Sequence, residues 1–199
     1  MRGKMPTDTV TLPTTEQMPI YFLAKWPELG NLLYLQCIRS GGCTEESAPA
    51  VYYRSMAWKY FAMLASTVHS SGVQYDALVT PPSSRDDAVP YKEMLAKTGA
   101  LDLSDRFSRE PKVSVGQGAT VDELTAALKY QAMGDESEIQ SLVIVDDSLS
   151  NGTTVAAILH HLRRAGLSPD CKIAIATAVW LPPDESSSSK TASRNGSTT

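Results

Sequence analysis

Residues 142–154 read LVIVDDSLSNGTT, and this run limits what the chain can fold into more than any other feature. Leu142–Val145 are consecutively apolar, without the alternation of a half-wetted strand, and so suit a strand buried on both faces. They end at adjacent carboxylates, Asp146 and Asp147, at the first positions that solvent would reach. A short stretch of hydroxyl and amide side chains leads to Gly152. A helical pattern follows, with Val155, Ile158, Leu159 and Leu162 on one stripe. A buried strand that turns at a glycine into a helix is the unit from which parallel α/β sheets are built.

The rest of the chain alternates in the same way. Ala50 to Val68 predicts a long helix with Ala57, Phe61, Leu64 and Val68 on one face. Tyr75–Thr80 reads as a buried strand stopped by Pro81-Pro82, and a second helix is expected from Pro90 to Gly99. Leu101–Gly118 lacks periodicity and reads as an extended loop or irregular strand region. Thr120-Val-Asp-Glu123 is a capping box that opens a helix expected to end near Met133. Lys172–Leu181, just beyond Gly166, supplies another buried strand. The expected fold is therefore α/β, a central mainly parallel sheet with helices on both faces. Four parts are expected along the chain: a flexible segment over 1–18, a hood or hairpin over 19–49, a core over 50–181, and a Ser-rich tail over 182–199 that buries too little to order itself. The hairpin would pair Tyr21–Trp26 with Leu32–Ile38 across the turn residues PELGN.

Composition removes several function classes. With 22 acidic against 18 basic residues the net charge is −4, and no basic stripe is present, so nucleic acid is not an expected partner. Cys37, Cys43 and Cys171 lack CxxC spacing, against a disulfide framework or zinc knuckle. No stretch approaches the ~18 apolar residues of a membrane span, and the start lacks a signal-peptide pattern; a cytoplasmic location is expected. His69, His160 and His161 fall in predicted helices, where packing or exposure is their default role.

The chemistry converges on two strand ends. Asp146 and Asp147 suit the vicinal hydroxyls of a ribose, or a divalent cation held directly or through water. The N–H groups of Ser148–Thr154, at a turn entering a helix, form a cradle for phosphate. Carboxylates for sugar hydroxyls beside amides for phosphate describe a pentose 5-phosphate site. A helix-capping turn after an Asp-Asp strand end is the bland alternative.

On these residues, LVIVDDSLSNGTT resembles the PRPP-binding signature of the type I phosphoribosyltransferases. The resemblance covers roughly residues 50–181 and is specific at two loops. It implies a three-layer fold in which Asp146 and Asp147 take the ribose hydroxyls. Ser148, Leu149, Ser150, Asn151, Gly152, Thr153 and Thr154 would surround the 5′-phosphate. The form with Ser148 after the acids is similar to the amidophosphoribosyltransferase variant, and Asn151 stands where Thr, Ser, Ala or Arg is usual. The second loop, PPSSR, follows the strand ending at Thr80. The family binds pyrophosphate there, which implies roles for Ser83, Ser84 and Arg85; otherwise PPSSR is a simple turn.

The family also closes a flexible loop over its substrate. Arg106, Arg109 and Lys112 lie in the matching part of the chain, and a solvated charged loop is the alternative. The implied reaction displaces pyrophosphate from PRPP with a nitrogen nucleophile. Mg²⁺ bound through PRPP and water near the acidic pair would assist, with Asp146, Asp147 and Arg85 as the catalytic residues. A nucleotide monophosphate and a small nitrogen acceptor are the implied partners, and a homodimer is common in the family. The 6-oxopurine members carry an acid–base Asp three residues after the acidic pair; Ser150 occupies that position. Tyr21, Phe22, Trp26 and Tyr34 are available either to stack on a base or to pack. A protein that keeps the site without transfer, sensing PRPP or a nucleotide, is the alternative function.

Overall fold

A computed structural model describes residues 7–25, 48–82, 92, 95–109 and 118–181. Among the described residues thirteen elements follow one another, and six of them are the strands of one sheet. The strands are β1 (Thr7–Thr11), β2 (Gln17–Lys25), β3 (Ala77–Val79), β4 (Leu101–Asp102), β5 (Phe107–Arg109), β6 (Leu128–Tyr130), β7 (Ser141–Leu149) and β8 (Lys172–Trp180). The helices are α1 (Ala48–Ser70), α2 (Val121–Ala127) and α3 (Thr153–Arg164), with single 3₁₀ turns at Ser104–Arg106 and Glu136–Glu138. The sheet runs β1-β2-β8-β7-β3-β4, and every pairing in it is parallel except β1 with β2. β5 and β6 form a separate antiparallel pair.

The central strands are apolar because both their faces are covered. On one face, Phe61, Leu64 and Val68 of α1 pack with Leu78, Val143, Val145 and Ala176. On the other, Val155, Ile158, Leu159 and Leu162 of α3 pack with Ile20, Leu142, Ile144 and Ile175. Leu124, Phe107 and Leu128 tie α2 and the small hairpin to that same layer. A mixed α/β molecule with a mainly parallel central sheet results, as the alternation of strand and helix patterns requires.

Four sequence expectations need correction. Residues 7–18 do not form a loose end: β1 is an antiparallel edge strand on β2, in register Thr7↔Tyr21 to Thr11↔Gln17. Only Val10 of β1 is buried, so its sequence lacks the apolar run that would announce a strand. The Tyr21 segment is not part of a separate hood either. β2 lies parallel to β8, Ile20 opposite Ile175, and so belongs to the main sheet. Its expected partner, Leu32–Ile38, falls outside the described residues, as does the tail from 182; of the predicted 90–99 helix, residues 92, 95 and 96 are helical and the chain turns at 97–99. The capping box forms as expected, Thr120 and Glu123 exchanging both bonds, but α2 ends at Ala127. Leu128–Tyr130 leave it because they gain a strand partner in β5. The fourth correction, the length of β7, bears on the site.

Candidate functional site

β7 does not stop at Val145. It remains paired with β8 from Ser141↔Lys172 to Leu149↔Trp180, so Asp146, Asp147, Ser148 and Leu149 are strand residues. The partner strand is buried from Ile175 through Trp180 and carries the ladder that far. Near the end, side-chain alternation slips: Ala178 and Val179 both pack on the α1 side, while Leu149 and Trp180 pack on the α3 side. The buried Thr177 hydroxyl donates to Val179 O at 3.1 Å across this slip. Ser148 and Leu149, expected in the phosphate loop, are thus placed differently. Ser148 Oγ donates to Asp147 Oδ1 at 3.0 Å, and Leu149 is a core residue whose carbonyl accepts from Leu181 N.

The acidic pair sits in the middle of the sheet's carboxyl edge. β3 lies alongside with Val79 opposite Ile144, and Asp146 lies opposite Thr177 of β8. Asp146 is half-buried, and desolvation of its carboxyl pushes its pKa well above the ordinary 3.8; repulsion from Asp147 and a side-chain hydrogen bond with it add to the rise. Asp147 N–H, donating to Asp146 Oδ1 at 2.8 Å, and the Arg109 guanidinium favour the charged form but offset only part of the effect. Of the three expected loop cations, Arg109 therefore comes within electrostatic reach of Asp146. Arg106 acts on Tyr130 instead, and Lys112 lies outside the described residues.

Past Leu149 the chain turns through Ser150, Asn151 and Gly152 into α3. Gly152 has φ +74°, a conformation that favours glycine. Asn151 Oδ1 accepts from Thr153 N at 3.2 Å and from Thr153 Oγ1 at 2.7 Å. Asn151, the position that departs from the usual pattern, thus caps the helix from within the loop. The other first-turn N–H groups of α3 have no acceptor inside the helix and carry its positive end. They can receive an anion.

The second strand end is held by a polar chain that the sequence did not announce. Thr80 N–H donates to Ser104 Oγ at 2.9 Å, and Ser104 Oγ–H donates to Asp102 Oδ1 at 2.6 Å. Lys92 Nζ pairs with Asp102 at 3.6 Å and with Asp105 at 2.6 Å. Asp102 also accepts from Ser104 N, the local turn that an Asp-x-Ser spacing favours. Thr80 and Ser104 are both buried, so Ser104→Ala leaves a backbone donor without its acceptor. Urea denaturation is expected to register a loss of about 1–2 kcal/mol; a change within about 0.3 kcal/mol would mean that Thr80 finds another partner. Ser83, Ser84 and Arg85, the residues this strand end would present, lie outside the described residues.

Of the remaining candidates, Trp26, Tyr34, Cys37 and Cys43 lie outside the described residues, and His69 and His160 are exposed. His161 Nε2 lies 3.0 Å from Thr125 O and ties α3 to α2, and the Cys171 thiol is pushed up by burial. Among the described residues no group of three or more His, Cys, Asp or Glu is arranged for a metal ion. None of their helices is long and apolar enough to cross a membrane.

No family model matches the chain, and no curated protein matches it. Among solved structures it is similar to the allosteric regulatory enzyme of purine biosynthesis, at 19% identity and a TM-score of 0.35. That likeness covers 60% of this chain and 25% of the other, so the chain spans about a quarter of that enzyme's length.

Proposed function

We propose that the chain binds a ribose 5-phosphate of the PRPP class at the carboxyl end of β7, on a type I phosphoribosyltransferase-like core. It would transfer the phosphoribosyl group to a nitrogen nucleophile with release of pyrophosphate. The observation that carries this reading is the half-buried Asp146–Asp147 pair near the end of β7, followed by a glycine turn that opens α3. Adjacent carboxyls accept hydrogen bonds from a vicinal diol. The helix start a few residues on is suited to the phosphate of the same pentose.

The donor set also fits Mg²⁺ in one manner. Two carboxylates from one strand fill only part of an octahedral shell, so the ion would be completed by water and by the ligand's own oxygens. When bound it would neutralise the departing pyrophosphate. Positive charge developing on the ribose ring would meet the acidic pair, and Arg85 with Arg109 would face the leaving group.

A second reading is favoured by one observation: Asn151 already occupies both donors of Thr153. A loop capped from within suits a protein that senses ribose phosphates without turning them over. Calorimetry of PRPP with Mg²⁺ against wild type and the Asp146→Asn/Asp147→Asn double variant tests the site, and binding is expected to be lost in the double variant. A folded wild type that ignores PRPP overturns both readings. Binding without pyrophosphate release, across nucleobases and amines, selects the sensor.

A further inference from the structure

Leu12, immediately after β1, packs against the turn that opens α3. Its side chain is 2% exposed and shares a core cluster with Leu149 and Val155, which flank that turn. Its backbone is clamped on both sides: Leu12 N–H donates to Glu16 O, and Thr15 N–H donates to Leu12 O, each at 2.9 Å. Thr15 has φ +71°, a conformation uncommon for a β-branched residue, within this hydrogen-bonded turn. A Cβ at Gly152 would lie 2.5 Å from Leu12 Cδ2 and 3.8 Å from Leu12 Cα. Gly152 therefore answers two demands at once, its positive φ and the approach of Leu12. The two segments come from opposite ends of the chain, and no local pattern in either one reveals the contact.

We infer that Leu12 is a positioning residue for the phosphate-binding turn: the N-terminal hairpin is its wall and sets the conformation of Asn151, Gly152 and Thr153. This rests on the ribose-phosphate reading for what the turn holds, though the mechanical link stands on the packing alone. The N–H groups of a short turn bind an anion well only while they converge, and an apolar wall behind a glycine keeps them so without competing for the ligand.

The test uses the full chain, checked for native circular dichroism, with Leu12→Ala, Leu12→Met, Gly152→Ala and the Leu12→Ala/Gly152→Ala double variant. Leu12→Val replaces Leu12→Ala should the latter not fold. Amide hydrogen exchange at Gly152 and Thr153 is expected to quicken about tenfold in Leu12→Ala relative to the centres of α3 and β7. Ribose 5-phosphate affinity is expected to fall about tenfold, and Leu12→Met, which refills the space, to restore both. Gly152→Ala should cost less affinity in the Leu12→Ala background than in wild type, because the collision is gone and only the φ strain remains. Unchanged exchange in a folded Leu12→Ala, or unchanged affinity with strictly additive effects, overturns the inference and leaves Leu12 an ordinary core residue. A wild type that does not bind ribose 5-phosphate overturns the proposed function instead, and the exchange measurement then decides the role of Leu12 alone.

Discussion

Glu136→Ala is expected to lower stability by about 3 kcal/mol, a drop of about 9 °C in Tm for a domain of this size. Glu136 has no solvent-exposed surface, yet its carboxylate is well supplied: it accepts from Met133 N at 2.6 Å, Gly134 N at 2.9 Å and the Tyr130 hydroxyl at 3.0 Å. Burial by itself would raise its pKa, but the donors prevail and hold it below the ordinary 4.5. The same environment pushes the Tyr130 phenol strongly upward, through its own burial first and Glu136 second. Truncation strands three donors at the junction of β6 and β7. A carboxylate with a lowered folded-state pKa contributes stability that is present above pH 4.5 and is lost as pH falls through the folded value. Thermal melts of wild type and Glu136→Ala should therefore differ most near neutrality and draw together in acid. A gap of constant size down to pH 3 would mean that folding leaves the Glu136 pKa unshifted, and one that widens in acid would mean that the carboxyl is neutral in the fold.

How much of this was legible in the sequence depends on whether the stabilising partner is near in the chain. Patterns with a local cause were readable: the Thr120–Glu123 capping box, the apolar run of β7, and the α3 stripe all follow from spacing along a single element. The acidic pair follows the apolar run, but it lies within β7, which stays paired with β8 to Leu149. What was missed depends on distant partners. β1 is a strand because β2 pairs with it, although four of its five side chains are exposed. α2 stops at Ala127 because β5 offers Leu128–Tyr130 a ladder. Ser148 and Leu149 belong to β7 because β8 runs on to Trp180. Glu136 and Ser104, ordinary polar residues in the sequence, become fixed points only once the backbone donors around them are buried. An Asp-x-Ser turn at Asp102–Ser104 was the one available local hint, and it says nothing of Thr80.

Asp146→Asn is expected to separate stability from binding. The Asp146 pKa is raised by burial first and then by Asp147, so the folded chain holds its proton more tightly than the unfolded chain does. Its contribution is therefore favourable in acid, below the ordinary 3.8, and is lost as pH rises through the folded value. At neutral pH the native fold carries a disfavoured charge at Asp146, or the cost of keeping it protonated. An amide of the same shape removes that cost. Asp146→Asn is expected to gain about 1 kcal/mol at pH 7, or about 3 °C in Tm, with the gain shrinking to nothing near pH 4. The same substitution removes an acceptor for a ribose hydroxyl, and losing a charge-assisted bond of about 2 kcal/mol corresponds to about a 30-fold weaker ligand. With Asp147→Asn added, the loss is expected to exceed about 100-fold. A stabilised variant that no longer binds is the signature of a carboxyl kept at the cost of stability for its chemistry. A variant that gains stability and binds PRPP with wild-type affinity would make Asp146 a structural residue and remove the ribose-hydroxyl role from the proposed site. If Asp146→Asn instead loses stability at pH 7, the carboxyl accepts bonds that the fold requires in its charged form, and its folded pKa lies below the ordinary value.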